Sequence, residues 1–438
     1  MHALIAGRLR ACLLVAAATL APCGAFADGA RPAAGTERIV TIAPGAPNAV
    51  SVWNEIAVAT SLVPPAVAGA TASERAPGPD VATVQLAVYD AVMAIAGTHK
   101  PYAIRPQAPA TGASMEAAAV EAAYRVLKAL FPSRGDKYEG AYASSMAAVP
   151  DGESKTRGQA IGAEVAAGLL ALRANDGREI ALPPYVPGTG PGQFRGLNPI
   201  LRNAPYTKPF ATQSHAQFRA PGALALASRR YAEELAEVQA VASSSGSASR
   251  SAAQTETARF HTEPPGQFWP RNLRQFATAS ADLAVNARLA AMLWTAYQDA
   301  VGGCFESKYH HDFWRPSSAI QLAETDGNPT THPEVAWTPH LPTPNHPEYP
   351  AAHSCASAAI AQTLRAFYGT PWVRFEFAST VAGTHPRRYQ SVDELVDEIA
   401  NARVWGGMHF RSSTADGARL GRSVADWVAT RHFRPVGD

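Results

Sequence analysis

Helical periodicity sustained over six separate stretches sets the first constraint on this chain. Apolar residues recur every three to four positions along 81–96, 115–130, 156–173, 228–243, 281–301 and 391–403, while the strict alternation of half-buried strands is scarce. Between these stretches lie segments rich in helix breakers: 182–221 is dense in Pro and Gly, 243–251 is Ser-rich, and 326–350 carries many Pro and His. The pattern predicts an all-α fold, with an N-terminal helical region over 28–225 and a C-terminal helical domain over 226–438. A length of 438 residues could hold two or three average domains, though helical cores of this size can be single integrated units, and 47% apolar content supports a large core.

The first 27 residues read as a secretory signal. Arg8 and Arg10 precede an apolar run from Ala11 to Leu20, and Ala25-Phe26-Ala27 forms a small-x-small cleavage site before Asp28. The run is shorter than the roughly 20 apolar residues a spanning helix needs, so no stable membrane anchor is expected and the destination is periplasmic or secreted. Cys12 and Cys23 leave with the signal. Cys304 and Cys355 remain, open to two readings: a disulfide in an oxidising compartment, or two small buried thiols. A formal net charge of +2 without charge runs offers no basic field, so no nucleic-acid partner is expected.

Chemistry concentrates in the last third. Lys308 and Arg315 stand in K-Y-H-H-D-F-W-R-P, His353 closes P-A-A-H, and Arg403 and His409 bracket R-V-W-G-G-M-H. Guanidinium groups present rigid forks of donors to oxyanion oxygens, and the lysine ammonium acts as a compact charge. Three such cations about 5 Å apart repel by roughly 3 kcal/mol per pair at an effective dielectric near 20. A tetrahedral anion relieves that repulsion, while one imidazole attacks or ligates its centre and the other moves a proton.

These blocks resemble the superfamily that joins vanadium-dependent haloperoxidases to type 2 phosphatidic acid phosphatases and bacterial acid phosphatases, whose signature is K-x6-R-P, then P-S-G-H, then S-R-x5-H. Lys308 through Pro316 match the first block; Pro350 and His353 match the ends of the second; Arg403 and His409 match the third. Upstream, V-W-N-E-I-A around Trp53, L-A-V-Y-D-A-V around Asp90 and Q-T-E-T-A-R-F at 254–260 look like the secreted bacterial haloperoxidase-like branch. The resemblance implies helical bundles of the vanadium haloperoxidase/acid phosphatase type and a bound vanadate, or phosphate in the same site. It implies His409 as the vanadium ligand, His353 as general acid/base, and Lys308, Arg315 and Arg403 around the anion oxygens, with Lys308 also polarising bound peroxide. The substrates implied are hydrogen peroxide and halide. The alternatives are a phosphomonoesterase acting on a phosphoester, with His409 transiently phosphorylated, and a degenerate oxyanion-binding member.

Departures from the signature are specific. Ala351 and Ala352 replace its Ser and Gly, removing a hydroxyl donor and adding a methyl group, with the helix start after them expected to offer backbone N–H groups to the anion. Ala402 replaces the Ser of the third block, and Ser413 takes a place where many members carry Asp. His346, seven before His353, resembles the algal bromide enzymes and points away from chloride oxidation. Locally, Lys308 and Arg315 either share one helical face or lie on two helices, the second beginning at Pro316. Gly406 and Gly407 break the helix between Arg403 and His409, and a new helix is expected near Ser412 or Ser413. Plainer readings are expected for other residues: no divalent-metal site at His310, His311 and Asp312, a surface ion pair for Asp299, loop roles for His332 and His340, and packing for Phe305, Trp314 and Trp405.

Overall fold

The computed structural model describes residues 38–61, 78–246 and 249–437; the predicted signal over 1–27 lies outside them. The N-terminal part contributes α1 (Ala49–Ser61), α2 (Gly78–Ala96), α3 (Met115–Leu130), α4 (Gly135–Ala147) and α5 (Glu153–Arg173). After a long loop come α6 (Arg229–Val241), α7 (Ala252–Phe260), α8 (Pro265–Leu273) and α9 (Leu283–His311). The C-terminal part holds α10 (Pro316–Gln321), α11 (Ala352–Tyr368), α12 (Val392–Trp405) and α13 (Arg411–Arg431). A small sheet is the sole break in the all-α pattern among the described residues: β1 (Val40–Thr41) runs parallel to β2 (Val373–Phe377), which pairs antiparallel with β3 (Arg387–Tyr389).

Local chemistry fixes several of these ends. Ser114, Ser228 and Ser391 each accept a backbone N–H at a helix start, and Ser251 with Gln254 closes a full capping box on α7. α2 is long and apolar enough to cross a membrane, yet nearly all of it is buried against α1, α3, α5 and α9, as a core helix of this size should be.

From Arg38 onward the chain forms one compact unit. α9, 29 residues long, is its axis: it packs on α2 along one stretch and on α11 and α13 along another. α11 and α13 approach unusually closely because Gly417 and Gly421 face α11. A Cβ at Gly421 would lie 2.2 Å from the Cys355 carbonyl oxygen, and one at Gly417 2.7 Å from that of Ala351. This contact sets the start of α11 against α13, where the site is built.

Two hydrophobic clusters form the interior. The larger runs through α1–α5, α9, α11 and α13; the smaller gathers Phe313, Trp314, Trp337, Tyr349, Val404 and Phe410. Members of the smaller cluster are sequence neighbours of Arg315, Arg403 and His409, so aromatic packing backs the segments that carry the cations. Trp314 is fully buried and Trp405 packs on the same cluster, as expected of packing aromatics.

Asp299 corrects one expectation. Rather than pairing at the surface it is buried, accepting the backbone N–H groups of Phe210, Ala211 and Thr212 at 2.7–2.8 Å, and so ties the long loop to α9.

Candidate active site

Three chain reversals bring the distant blocks together. α9 ends at His311, Asp312 adopts the left-handed conformation (φ 47°), and the chain runs extended through Arg315 (φ −80°, ψ 155°) before α10 starts at Pro316. Of the two local readings, the structure takes the restarted helix. Arg403 lies in the last turn of α12; Gly407 then turns the chain at φ 80°, and His409 precedes α13, which begins at Arg411, slightly before the expected Ser412. Ala351 is the N-cap of α11, placing His353 in that helix's first turn.

The cations converge in a dry interior. Lys308, Arg315 and Arg403 are 0–2% exposed. The Lys308 Nζ donates to the carbonyls of Pro347 and Glu348, both at 2.9 Å. Arg315 donates Nε to His346 O (2.8 Å), Nη1 to Met408 O (2.9 Å) and His409 Nε2 (3.3 Å), and Nη2 to Pro344 O (3.0 Å) and His346 Nδ1 (2.9 Å). Arg403 gives Nη1 to the His261 carbonyl at 3.2 Å, while its buried Nε has no partner among the described residues. Burial pulls Lys308 down to about 8, with Arg315 adding to the effect, and takes Arg315 to about 10 and Arg403 to about 9.

Glu348 is the residue that the sequence did not announce. Fully buried, it accepts His409 Nδ1–H at 2.8 Å and the Phe410 backbone N–H at 3.0 Å on one carboxylate oxygen; the other is buried without a partner among the described residues. Burial pushes its carboxyl up to about 7 against the pull of Lys308 and Arg315. A carboxylate on Nδ1 fixes the tautomer of His409, so the Nε2 lone pair faces Arg315 and is the atom able to ligate or attack. The signal available was a single acid, five residues before His353, in a Pro-rich segment beside clustered cations that need a counter-charge.

His353 completes the group from α11. Burial, then the charges of Arg403, His261, Lys308 and Arg315, hold its imidazole well below the ordinary histidine range, and its ring makes no hydrogen bond among the described residues. Ala351 offers an anion little: its side chain is a methyl group and its N–H donates to Ser413 O at 3.1 Å. Ala352 opens α11, so its N–H and those of His353 and Ser354 precede the first helical bond, from Cys355 to Ala351 O. Replacing Ala351 with Ser returns a hydroxyl donor worth about 0.5–1.5 kcal/mol, so orthovanadate affinity by titration calorimetry is expected to rise roughly two- to tenfold.

The flanking residues sort clearly. His346 is buried rather than solvated, its ring 5.1 Å from that of Phe305 and bonded to Arg315, so Phe305 packs directly on a residue of the cation group. His311 bonds the Ala220 carbonyl at 2.9 Å, and Asp312 accepts the Tyr185 hydroxyl at 2.7 Å. His332 is exposed in its loop, whereas His340 is half-buried. Cys304 and Cys355 are free and buried with their sulfurs adjacent, where α9 meets α11 close to Lys308 and His353.

Comparison with known proteins agrees with this architecture. Residues 288–438 match the model of the VCPO second helical-bundle domain. A crystal structure described as the first bacterial vanadium-dependent iodoperoxidase superposes with a TM-score of 0.67 at 22% identity, over 89% of this chain and 96% of that one. A holo-type bacterial vanadium-dependent chloroperoxidase superposes at 0.62 and 16% identity, over 89% and 98%. Its apo-type counterpart gives 0.59 and 16%, over 86% and 96%. No functionally curated protein matches the chain. The fold is that of the helical vanadium haloperoxidases it superposes on, and residues 288–438 are similar to their second helical-bundle domain.

Proposed function

We propose that the chain is a vanadate-dependent haloperoxidase-like enzyme that oxidises halide with hydrogen peroxide. The observation carrying this reading is the buried trio Lys308, Arg315 and Arg403 around a His409 whose Nε2 is left as a lone pair by Glu348. The residues present suit a tetrahedral oxyanion: Arg403 keeps a buried Nε–H without a partner among the described residues, and a single buried carboxylate, Glu348, offsets Lys308 and Arg315. Lys308, Arg315 and Arg403 would hold the anion oxygens, and His409 Nε2 would ligate the vanadium. Vanadate, when bound, supplies the electrophilic centre at which peroxide becomes reactive toward halide.

The protein's own groups do the rest. Lys308 supplies positive charge to the oxygen that takes up electron density, Glu348 keeps His409 in its ligating tautomer, and His353 accepts the peroxide proton. His346, bonded to Arg315, supports a preference for bromide or iodide over chloride. In the same reading residues 1–27 direct export to the periplasm or beyond, 28–225 form the N-terminal helical region and 226–438 carry the site.

Bromination of monochlorodimedone by the purified protein, with and without orthovanadate, tests the proposal. Activity that depends on added vanadate supports it. Turnover of p-nitrophenyl phosphate that vanadate inhibits, with no halogenation, replaces it by a phosphomonoesterase, and anion binding without either turnover replaces it by a degenerate member. A pH effect is also expected: Lys308 carries its charge below about 8 and loses it above, so affinity of the free protein for phosphate, measured by calorimetry, should fall as pH rises through that value.

A further inference from the structure

α9 and α11 meet at a pair of sulfurs. Cys304 of α9 and Cys355 of α11 are both completely buried, and the Cys355 thiol donates to Cys304 Sγ. The Cys304 thiol in turn donates to the Pro350 carbonyl at 3.7 Å, so it lies against the chain that leads into α11. Lys308 stands one turn beyond Cys304 on the same face of α9, and His353 comes two residues before Cys355. The two cysteines are 51 positions apart in sequence, and the span between them carries Lys308, Arg315, His346, Glu348 and His353.

A solitary thiol in this place would be vulnerable to peroxide. Peroxide takes a thiolate to sulfenic acid and, with more oxidant, to sulfinic and sulfonic acids, which add charge and oxygen atoms. The interior has little room for either. A Cβ built on Gly417 of α13 would lie 3.3 Å from Cys355 Sγ, so that side of the sulfur is already covered by backbone, and a charged product in so dry a place is strongly disfavoured. A second thiol in contact consumes the sulfenic acid before it is oxidised further, because condensation of the two gives a neutral, compact disulfide. The sulfurs are not equivalent. Burial and the hydrogen bond with Cys304 hold the Cys355 thiol well above its ordinary range. Cys304 is the sulfur that accepts this hydrogen bond and has Lys308 on the next turn, the setting of the attacking member of a pair.

We propose that Cys304 and Cys355 are a peroxide-resolving pair that closes into a disulfide, stapling α9 to α11 beside the oxyanion cradle. The proposal goes beyond the haloperoxidase-like reading and takes from it only the oxidant, a hydroperoxide small and neutral enough to reach sulfurs that bulkier thiol reagents do not. Cys304 Sγ bonds to one peroxide oxygen, the O–O bond breaks, and the departing hydroxide takes the thiol proton to become water. Cys355 Sγ then attacks the sulfenic sulfur, the S–O bond breaks, and the second hydroxide leaves as water with the Cys355 proton. One electron pair passes from the sulfurs to the peroxide. The closed loop ties the first turns of α11 to α9, and so holds the segments that carry Lys308 and His353 together.

Peptide mapping tests this on the full chain, reduced with a dithiol, freed of it, treated with hydrogen peroxide while folded, and then unfolded in an alkylating reagent. The Cys304 and Cys355 peptides are expected to appear joined and to separate again with dithiol. The urea midpoint of the oxidised form is expected to lie roughly 1 M above that of the reduced form. In Cys355→Ala, Cys304 is expected to gain oxygen atoms that dithiol does not remove. Alkylation of both thiols after peroxide overturns the proposal, as does oxygen added to either sulfur of the parent without a cross-link, or a bridge to Cys12 or Cys23. A cross-link that leaves the urea midpoint unmoved overturns the stapling of α9 to α11. Should Cys355→Ala not fold, the map of the parent chain decides alone. Bromination measured on the same samples separates the two readings: a cross-link in protein that halogenates nothing keeps the pair and discards the haloperoxidase reading, whereas halogenation by protein whose thiols stay free discards the pair alone.

Discussion

His409→Ala is expected to abolish vanadate-dependent bromination, a fall on the order of a thousandfold or more. The Nε2 lone pair, set by Glu348 on the opposite nitrogen, disappears from the site, and with it the group able to ligate or attack the central atom. The cradle cations remain, so phosphate should still bind, more weakly, through Lys308, Arg315 and Arg403. Comparing bromination with phosphate binding by calorimetry separates the two consequences. Full bromination by His409→Ala would refute the assigned role.

Glu348→Leu is expected to lower folding stability by about 3–5 kcal/mol, measured by urea unfolding. The reason is charge balance in a dry place. Lys308 and Arg315 are buried, and Glu348 is the carboxylate that favours their charged forms. Removing it also strips His409 Nδ1 and the Phe410 N–H of their acceptor. Because an oxyanion supplies the missing negative charge, phosphate should stabilise Glu348→Leu more than it stabilises the parent. Glu348→Gln keeps an acceptor oxygen while removing the charge, and should fall between the two. A loss under about 1 kcal/mol in the leucine variant would mean that the cations do not depend on Glu348.

Much of this was legible in sequence because helical periodicity and motif spacing are local properties. The stretch 115–130 is reproduced as Met115–Leu130, and the break at Gly406-Gly407 falls where the motif needs the chain to turn back. What was missed depends on tertiary contact. The stretch ending at 301 continues to His311, because Gly302 is there for packing rather than termination: a Cβ would lie 2.1 Å from the His215 ring. The helix expected near Ser412 or Ser413 is α13, which starts at Arg411 and runs to Arg431, and its close packing on α11 was the part that sequence did not show. Strand β2, five residues with alternating burial, is too short for its period to stand out. Glu348 and His261 lie beside the recognisable blocks, and only folding shows what they touch.

Three main-chain carbonyls clamp the Arg315 guanidinium in place before any ligand arrives, and its two remaining N–H groups, given to the His409 and His346 imidazoles, are the donors an anion would take over. The conformational entropy of orienting it was therefore surrendered during folding, and an arriving ion meets a fixed gauge instead of a searching arm. Ions whose oxygens do not suit that one orientation gain little from it, which makes the rigidity of this single side chain a means of choosing among anions of equal charge.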